Sequence, residues 1–378
     1  MSSTSPTLEA DTTLRVGVLG AGQLGRMLAL AGLPLNCSFV FVDPTPAAPA
    51  AALGRQLVCD YTDPVGLAAL AACDVVTYEF ESVPVEAADV LAQSVPVFPP
   101  PGALRVAQDR FLEKSRFREL GIATAPFEAV NSAEELALAV LKLGLPAVLK
   151  TRRLGYDGKG QFVLKQPHDV PAAWAAVGGA PSILEGFVQF ERELSLLAVR
   201  ARSGAVRFYP LVENHHERGI LRKTLAPAPR LTPALQSAAE ASATRILEAL
   251  GYVGVLALEL FQVGATLVAN EIAPRVHNSG HYSIEGSITS QFENHLRAIL
   301  GLPLGETASI LPSCMLNLVG CLPESSAVLA VADAHLHLYG KSARAGRKVG
   351  HITVRAPTDA ELAKRVALLE AVPGVRDS

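Results

Sequence analysis

Asn270-Glu271-Ile272-Ala273-Pro274-Arg275-Val276-His277-Asn278-Ser279-Gly280-His281 gathers a carboxylate, amides, a guanidinium and two imidazoles into one short stretch. Such a segment is too polar to be core. It follows an apolar run, Thr266 to Ala269, and an earlier one, Gly254 to Phe261, that carries Glu259; the intervening Gln262 to Ala265 contains Gly264 and reads as a hairpin turn. Because side chains alternate along a strand, Glu259 and Glu271 fall on one face of that hairpin. There they can share a hard cation such as Mg2+, which takes one or two carboxylates together with substrate phosphates. Pro274 ends the strand, and the loop behind it lifts Arg275, His277, Asn278, Ser279 and His281 beside the two carboxylates. The bland alternative is a polar turn with a capping Asn-Ser pair.

The rest of the chain restricts the classes to which this hairpin can belong. Its 378 residues are enough for two or three domains with real cores. Hydrophobic residues make up 49% and charged residues 18%, with a net charge of −3, so no polyanion-binding surface is expected and nucleic acid is excluded as a partner class. Cys37, Cys59, Cys73, Cys314 and Cys321 show no CxxC spacing and sit mostly in apolar contexts, as buried free thiols of a reducing compartment do. The opening MSSTSPTLEADTT has neither a basic start nor an apolar run, and no segment reaches the length of a membrane span. A cytoplasmic protein without membrane contact is expected.

Three regions follow from the patterning: residues 1–102, 103–311 with a smaller flap part at about 125–190, and 312–378. In the first, short β runs (Arg15 to Leu19, Ser38 to Val42, Val75 to Tyr78, Val95 to Phe98) alternate with Ala- and Leu-rich helical stretches, as in a Rossmann-like parallel α/β unit. Pro99-Pro100-Pro101-Gly102 closes it. A helix is predicted from about Ala103 to Leu120, another after the capping pair Ser132 and Glu135, and a long one from Thr232-Pro233 to Gly251. Beyond Pro312 come β runs near Met315 to Val319, His335 to Tyr339 and His351 to Val354, then a helix from about Asp359 to Ala371.

Gly20-Ala21-Gly22-Gln23-Leu24-Gly25 has the GxGxxG spacing after a strand, with Asp43 at the end of the next one. Glycines there let a phosphate approach the free N–H groups of a helix start. The motif leaves open a dinucleotide, another phosphate ligand, or a tight turn with no ligand. Farther on, Pro146 to Lys150 reads as a strand ending in a lysine, followed by Thr151-Arg152-Arg153-Leu154-Gly155-Tyr156-Asp157-Gly158-Lys159-Gly160-Gln161. A lysine beside three glycines and further basic groups makes a cationic flap suited to covering polyphosphate, whereas a plain solvated hairpin has no need of them. Ser182 to Val188 reads as a strand running into an extended linker whose backbone can pair with an adenine edge, and Glu193 is placed to accept from ribose hydroxyls.

Taken in order, Lys150, GYDGKGQ at 155–161, EGFV at 185–188 with Glu193, Glu259 and Asn270-Glu271 resemble the ATP-grasp superfamily. GQLGRML at 22–28, YEFE at 78–81, QDR at 108–110, GILR at 219–222, NEIAPRVHNSGH at 270–281, SQFE at 290–293 and GRKVGH at 346–351 are similar to the 5-(carboxyamino)imidazole ribonucleotide synthases of purine biosynthesis, over nearly the whole chain. The resemblance implies an ATP-grasp fold combining α/β and α+β parts: a Rossmann-like N-terminal domain, the ATP-grasp domain, and a small C-terminal, mostly β domain. It implies ATP and Mg2+, bicarbonate and 5-aminoimidazole ribonucleotide as substrates, and a homodimer. ATP contacts then fall to Arg110, Lys150, the loop Gly155, Tyr156, Asp157, Gly158, Lys159, Gly160 and Gln161, the linker Glu185, Gly186, Phe187 and Val188, and Glu193, His216, Asn270 and Glu271; the metal falls to Glu259 and Glu271. The ribonucleotide would meet Gln23, Leu24, Glu79, Arg275, His277, Asn278, Ser279, Lys341, Arg347 and Lys348. Tyr156, Asp157, Lys159, Arg275 and His277 stand where chemistry occurs, with His277 and Asp157 as candidates to accept the amine proton. Leu154 departs from the pattern by replacing a glycine expected in many relatives, which restricts the flap backbone.

Other groups read as structural. His335 and His337 alternate on one strand with no third ligand in view, and His215 and His216, adjacent on a strand, point to opposite faces. Without the resemblance, Lys341, Arg344, Arg347 and Lys348 would be a charged strand edge. Three competing functions are weighed: another ATP-grasp ligase such as a formate-dependent glycinamide ribonucleotide transformylase, an NAD(P)-dependent oxidoreductase resting on GxGxxG and Asp43, and a nucleotide sensor. A sensor would lack the metal carboxylates that this chain has.

Overall fold

A computed structural model describes residues 13–155 and 160–376 in two compact units, Met1–Val97 and Phe98–Ser378. The N-terminal unit is a parallel four-stranded sheet in the spatial order Arg55–Leu57, Cys37–Val42, Leu14–Leu19, Val75–Tyr78. The expected fourth strand at 95–98 forms only a single parallel bridge, Val76 to Val97; the polar Arg55–Leu57, too short to show a pattern, takes the other edge instead.

The larger unit holds two antiparallel sheets. A four-stranded one, in the order Phe127–Val130, Ser182–Gly186, Ala147–Thr151, Gln161–Leu164, carries the helices Ala133–Leu143 and Val170–Ala176, and Leu136, Val140, Leu149, Leu164 and Leu184 form its core. The predicted capping pair is present: the Glu135 N–H donates to Ser132 Oγ at 3.2 Å. The nine-stranded sheet runs Thr266–Ala273, Gly254–Val263, Arg192–Arg200, Val212–Glu217, Ile220–Ala226, Ser313–Val319, Lys348–Arg355, Ala334–Leu338, with Val206–Phe208 added on Arg192–Arg200. The three C-terminal strands therefore extend the sheet that carries Glu259 and Glu271. They also have a core of their own under the helix Asp359–Glu370, built on Leu316, Leu318, Ile352, Val354 and Leu362.

Alternation sorts the faces of the large sheet. Leu194, Leu196 and Ala198 with Leu256, Leu258 and Leu260 bury one face against Ala239, Ala243 and Ile246 of the helix Pro233–Ala249. Glu193, Ser195, Ala257 and Glu259 consequently belong to the opposite face. The single helix expected at 103–120 is two, Pro101–Ala107 and Arg110–Glu119. Asp109 interrupts it because its carboxylate accepts from the Phe111 and Leu112 N–H groups, starting a new helix, and is gripped by Arg152 through two bonds of 3.0 and 2.8 Å. All five cysteines are free thiols. Among the described residues no helix is long and apolar enough to cross a membrane.

Asn294, fully buried on the helix Gln291–Leu300, fixes the loop behind that helix: Oδ1 accepts from Gly305 N–H at 2.8 Å, and Nδ2 donates to Gly305 O at 3.3 Å and to Tyr209 Oη at 2.9 Å. Asn294→Ala strips the buried Gly305 of its side-chain partner at both N–H and O, while Tyr209 Oη keeps its bond to Thr289 O, and should cost about 2–4 kcal/mol. The urea midpoint should fall with the slope unchanged; a loss below about 0.5 kcal/mol, the range of neutral surface changes, would contradict this account.

Candidate functional site: a carboxylate rung beside a clamped polar loop

Glu259 and Glu271 are direct cross-strand partners of the hairpin Gly254–Val263/Thr266–Ala273. The pairing works only because of an irregularity that simple alternation does not predict. Ala269 pairs with Leu260 and Glu271 with Glu259, so Asn270 is an extra residue, a β-bulge. In a regular strand Glu271 would share the face of Ala269, which is core. The bulge reverses the parity, leaving Ala269 in the core and Glu271 opposite Glu259. Burial alone would raise the Glu259 carboxyl, but the hydrogen bond and charge of His277, with the charges of His216 and Arg275, hold it down to about 2. Behind Glu271, Glu113 is fully buried, accepts from Ile272 N–H at 2.7 Å, and is pushed well above the carboxylate range by burial and by the Glu271 charge.

The polar loop is held from three sides. His277 Nε2 meets Glu259 Oε1 at 3.1 Å, while its Nδ1 takes the Ser279 N–H at 3.3 Å and lies 2.8 Å from Ser279 Oγ. The ring thus faces Ser279 with Nδ1 and Glu259 with Nε2. The buried Gln291 grips both backbone groups of His277: Oε1 accepts from His277 N–H at 2.9 Å and Nε2 donates to His277 O at 2.6 Å. Asn278 exchanges two side-chain bonds with the buried Asn317, of 3.0 and 2.5 Å. His281 packs on His351 at 4.9 Å between centroids, and His351 stacks on His337 at 4.3 Å. Burial drives His281 and His351 far below the ordinary imidazole value, so both are neutral spacers. His337 bonds Glu285 at 2.7 Å, which accords with the structural reading of the 335/337 pair.

On the flap side, Lys150 Nζ lies 3.1 Å from Glu185 Oε2, and the buried Lys114 lies 3.3 Å from the same oxygen. Glu185 Oε1 is buried with no hydrogen-bond partner. Arg110 donates to Thr151 O at 3.0 Å and to Gly155 O at 2.9 Å, tying its helix to the mouth of the glycine loop. Leu154 has φ +61°, the left-handed region that glycine occupies at no cost and other L residues at about 1 kcal/mol or more, in keeping with the glycine expected there. Gly160, at φ +69°, and Gln161 close the loop opposite Lys150. Tyr156, Asp157, Gly158 and Lys159 lie outside the described residues. Gly186 ends its strand, with Phe187 and Val188 in the linker beyond; Phe187 N–H donates to Pro146 O.

Glu193 Oε2 is 2.9 Å from His216 Nδ1, whereas His215 turns to Glu213 at 3.1 Å, so the adjacent histidines do diverge. Lys348 opens the strand Lys348–Arg355, and its charge acts on both His216 and His281. Arg347 bonds Ser342 within the loop that also carries Lys341.

The N-terminal glycine turn is filled from within the chain. Its amides do not wait for a ligand: Gly22 N–H donates to Glu79 Oε1 at 3.0 Å, and Leu24 and Gly25 N–H to Oε2 at 3.2 Å each. A Cβ on Gly22 would sit 2.6 Å from that carboxylate, so the glycines make room for an internal anion. Asp43 accepts from Ala21 and Thr45 N–H groups instead of reaching toward a ribose. The turn therefore has the character of a self-satisfied tight turn, and nothing in it favours a dinucleotide. Gln23 and Leu24 begin the helix Gln23–Gly32. Sequence reasoning also passed over Lys114 and Asn317 and met Gln291 only inside SQFE at 290–293, without a role; the Arg110/Lys114 spacing of four, one helical turn apart on one face, offered a signal for Lys114.

For His216, burial would lower the imidazole, but the hydrogen bond and charge of Glu193, helped by Glu259, raise it above 6.5. The ion pair is complete below that value and weakens as pH rises through the raised one. An NMR titration of His216 should give a midpoint above 6.5, and Glu193→Gln should lower it; an unshifted wild-type midpoint would refute the pairing.

Comparison with known proteins agrees with this geometry. Residues 13–108 match the ribonucleotide synthetase preATP-grasp domain, residues 115–292 the ATP-grasp domain, and residues 313–365 the phosphoribosylaminoimidazole carboxylase C-terminal domain. The chain is 56% identical over 360 residues to N5-carboxyaminoimidazole ribonucleotide synthase of Pseudomonas aeruginosa, covering 95% of this chain and 99% of that one. The crystal structure of N5-carboxyaminoimidazole ribonucleotide synthetase from Thermus thermophilus superimposes with a TM-score of 0.91 at 56% identity, over 94% of this chain and 97% of that one. That of the Aspergillus clavatus N5-carboxyaminoimidazole synthase in complex with ADP and 5-aminoimidazole ribonucleotide gives 0.88 at 35% identity, over 95% and 98%. On sequence, fold and domain order alike, the chain belongs to the N5-carboxyaminoimidazole ribonucleotide synthases of the ATP-grasp family.

Proposed function

We propose that this chain joins bicarbonate to the amine of 5-aminoimidazole ribonucleotide at the expense of ATP, giving N5-carboxyaminoimidazole ribonucleotide, ADP and phosphate. The observation that carries the reading is the Glu259/Glu271 rung beside the clamped 275–279 loop, in a chain 56% identical to a synthase of that name. Two groups fit the ligands this requires. The partnerless, buried Glu185 Oε1 suits an amino donor such as that of adenine, beside Lys150 as a phosphate cation. Two ionisable carboxylates on one rung suit Mg2+, which completes its shell with phosphate and water oxygens; no larger cluster of metal-ligating side chains occurs among the described residues. When bound, the cation neutralises phosphate charge.

The chemistry sets what the side chains must do. Bicarbonate is a poor electrophile, so one of its oxygens takes the γ-phosphoryl group of ATP, forming carboxyphosphate and ADP. The amine nitrogen then captures the carboxyl carbon, or CO2 released from it, as the bond to phosphate oxygen breaks, and the proton the nitrogen loses passes to the departing phosphate. Carboxyphosphate hydrolyses in water, so the site has to exclude solvent and stabilise the transferring charge, tasks assigned to Lys150 and Arg275. Asn278 and Ser279, held by Asn317 and His277, position the ribonucleotide, and Lys341, Arg347 and Lys348 supply positive charge for its phosphate. With both ring nitrogens engaged, His277 orients Glu259 and the loop. The active unit is a cytoplasmic homodimer.

The first test is phosphate release from ATP, which should depend on both 5-aminoimidazole ribonucleotide and bicarbonate; release indifferent to both would remove the assignment. Glu271→Gln keeps shape and loses charge, so turnover should fall by about a hundredfold or more while nucleotide binding persists. Near-normal turnover would take Glu271 out of the metal site. Lys341→Ala and Arg347→Ala should each raise the KM for the ribonucleotide by about ten- to a hundredfold, equivalent to about 1.5–3 kcal/mol, and leave that for ATP in place.

A further inference from the structure

Lys114 has no place in the reaction as described, yet it is among the largest fully buried side chains of the molecule. It lies on the helix Arg110–Glu119, with its side chain 2% exposed, and its Nζ reaches Glu185 Oε2 at 3.3 Å and Ala269 O at 3.4 Å. Lys150, from the strand Ala147–Thr151, reaches the same Glu185 oxygen at 3.1 Å but is 18% exposed, at the edge of the glycine loop. Two ammonium groups thus converge on one carboxylate oxygen. A buried carboxylate requires one counter-charge; stripping it of its last one costs far more than the pair itself contributes. The two lysines differ in what they can do. Lys114 is enclosed and, among the described residues, pairs with no carboxylate other than Glu185, whereas Lys150 is more exposed and stands at the edge of the loop.

We propose that Lys114 is a positioning residue for nucleotide binding: it keeps Glu185 neutralised, so that Lys150 can leave Glu185 for the phosphates without abandoning a buried charge. This rests on the reading above that Lys150 holds ATP phosphate. The Lys114–Glu185–Lys150 trio carries one positive charge in excess, the condition for attracting an anion. Glu185 is the group both lysines act on: burial would raise its carboxyl, and the two cations together hold it down to about 2.

A double-mutant cycle on the full-length enzyme tests this, using calorimetric titration with ATP and Mg2+ and the KM for each substrate. Lys114→Met should weaken ATP binding and raise its KM by about tenfold or more, because Lys150 must now be taken from a carboxylate it alone neutralises. The KM for the ribonucleotide should stay put. In a Glu185→Gln background the same Lys114→Met change should alter ATP affinity by less than about threefold, since no buried charge remains to be balanced. Equal losses in both backgrounds would mean that Lys114 serves packing alone and would overturn the proposal, as would an unchanged ATP affinity in Lys114→Met. If Lys114→Met does not fold, Lys114→Arg and the double variant carry the test: the arginine should keep ATP affinity, and the double variant should match Glu185→Gln. Lys150→Ala is measured alongside. Should it leave ATP affinity unchanged, the phosphate role of Lys150 falls first; should it weaken ATP while the cycle is additive, only the role of Lys114 is lost.

Discussion

Two carboxylates on one rung of an antiparallel ladder repel each other, and such a pair persists only where the surroundings offset the repulsion. Here the offsets can be named. His277 and Arg275 lend positive character to the Glu259 side, and Glu113, which accepts from the N–H of Ile272 next to Glu271, has a carboxyl raised by burial and by the Glu271 charge. A hard cation between the two carboxylates would offset their repulsion directly. His277 can act on Glu259 only because Gln291 fixes both of its backbone groups, and the loop keeps its course only because Asn317 and His351 hold Asn278 and His281. The rung therefore sets the requirements that the loop, the Gln291 helix and the C-terminal strands are arranged to meet.

That dependence explains why the C-terminal strands join the large sheet. A polar loop cannot be packed by apolar contacts alone, so its amides and imidazoles need partners on a rigid surface. The strands Ser313–Val319 and Lys348–Arg355 provide one, with Asn317 and His351 facing the loop and Lys348 close enough for its charge to act at His216. Neutral imidazoles fit this duty. His281 and His351 stack without adding positive charge beneath a loop that already holds Arg275.

Much of this was legible in the residues. The hairpin that carries the two carboxylates, the lysine near a strand end and the capping residues Ser132 and Thr232 follow from residue pattern and local hydrogen-bonding chemistry, and the structure places them accordingly. What escaped depended on long-range partners. Nothing near Asn270 announces that it is bulged, because the signal lies in the register of Leu260 and Glu259 across the hairpin. Asp109 breaks a helix that periodicity would continue, since its carboxylate serves the next turn and Arg152 at once. Gln291 and Asn317 look like ordinary polar residues until the backbone and amide they satisfy are brought to them.

The glycine turn shows how a motif can be read correctly as physics and still leave its function open. Three amides at a helix start and glycines that admit a close approach do make an anion site, as the spacing predicts. The anion is Glu79, carried at the end of the neighbouring strand Val75–Tyr78, so the chain supplies internally what a dinucleotide pyrophosphate would otherwise bring. A carboxylate so placed satisfies three N–H groups and keeps the turn rigid without ligand. The same GxGxxG spacing is thus compatible with opposite functions, and what separates them is whether a side chain elsewhere in the unit reaches the amides. Here that side chain belongs to YEFE at 78–81, a motif whose connection to GQLG at 22–25 is invisible until Val75–Tyr78 is paired with Leu14–Leu19.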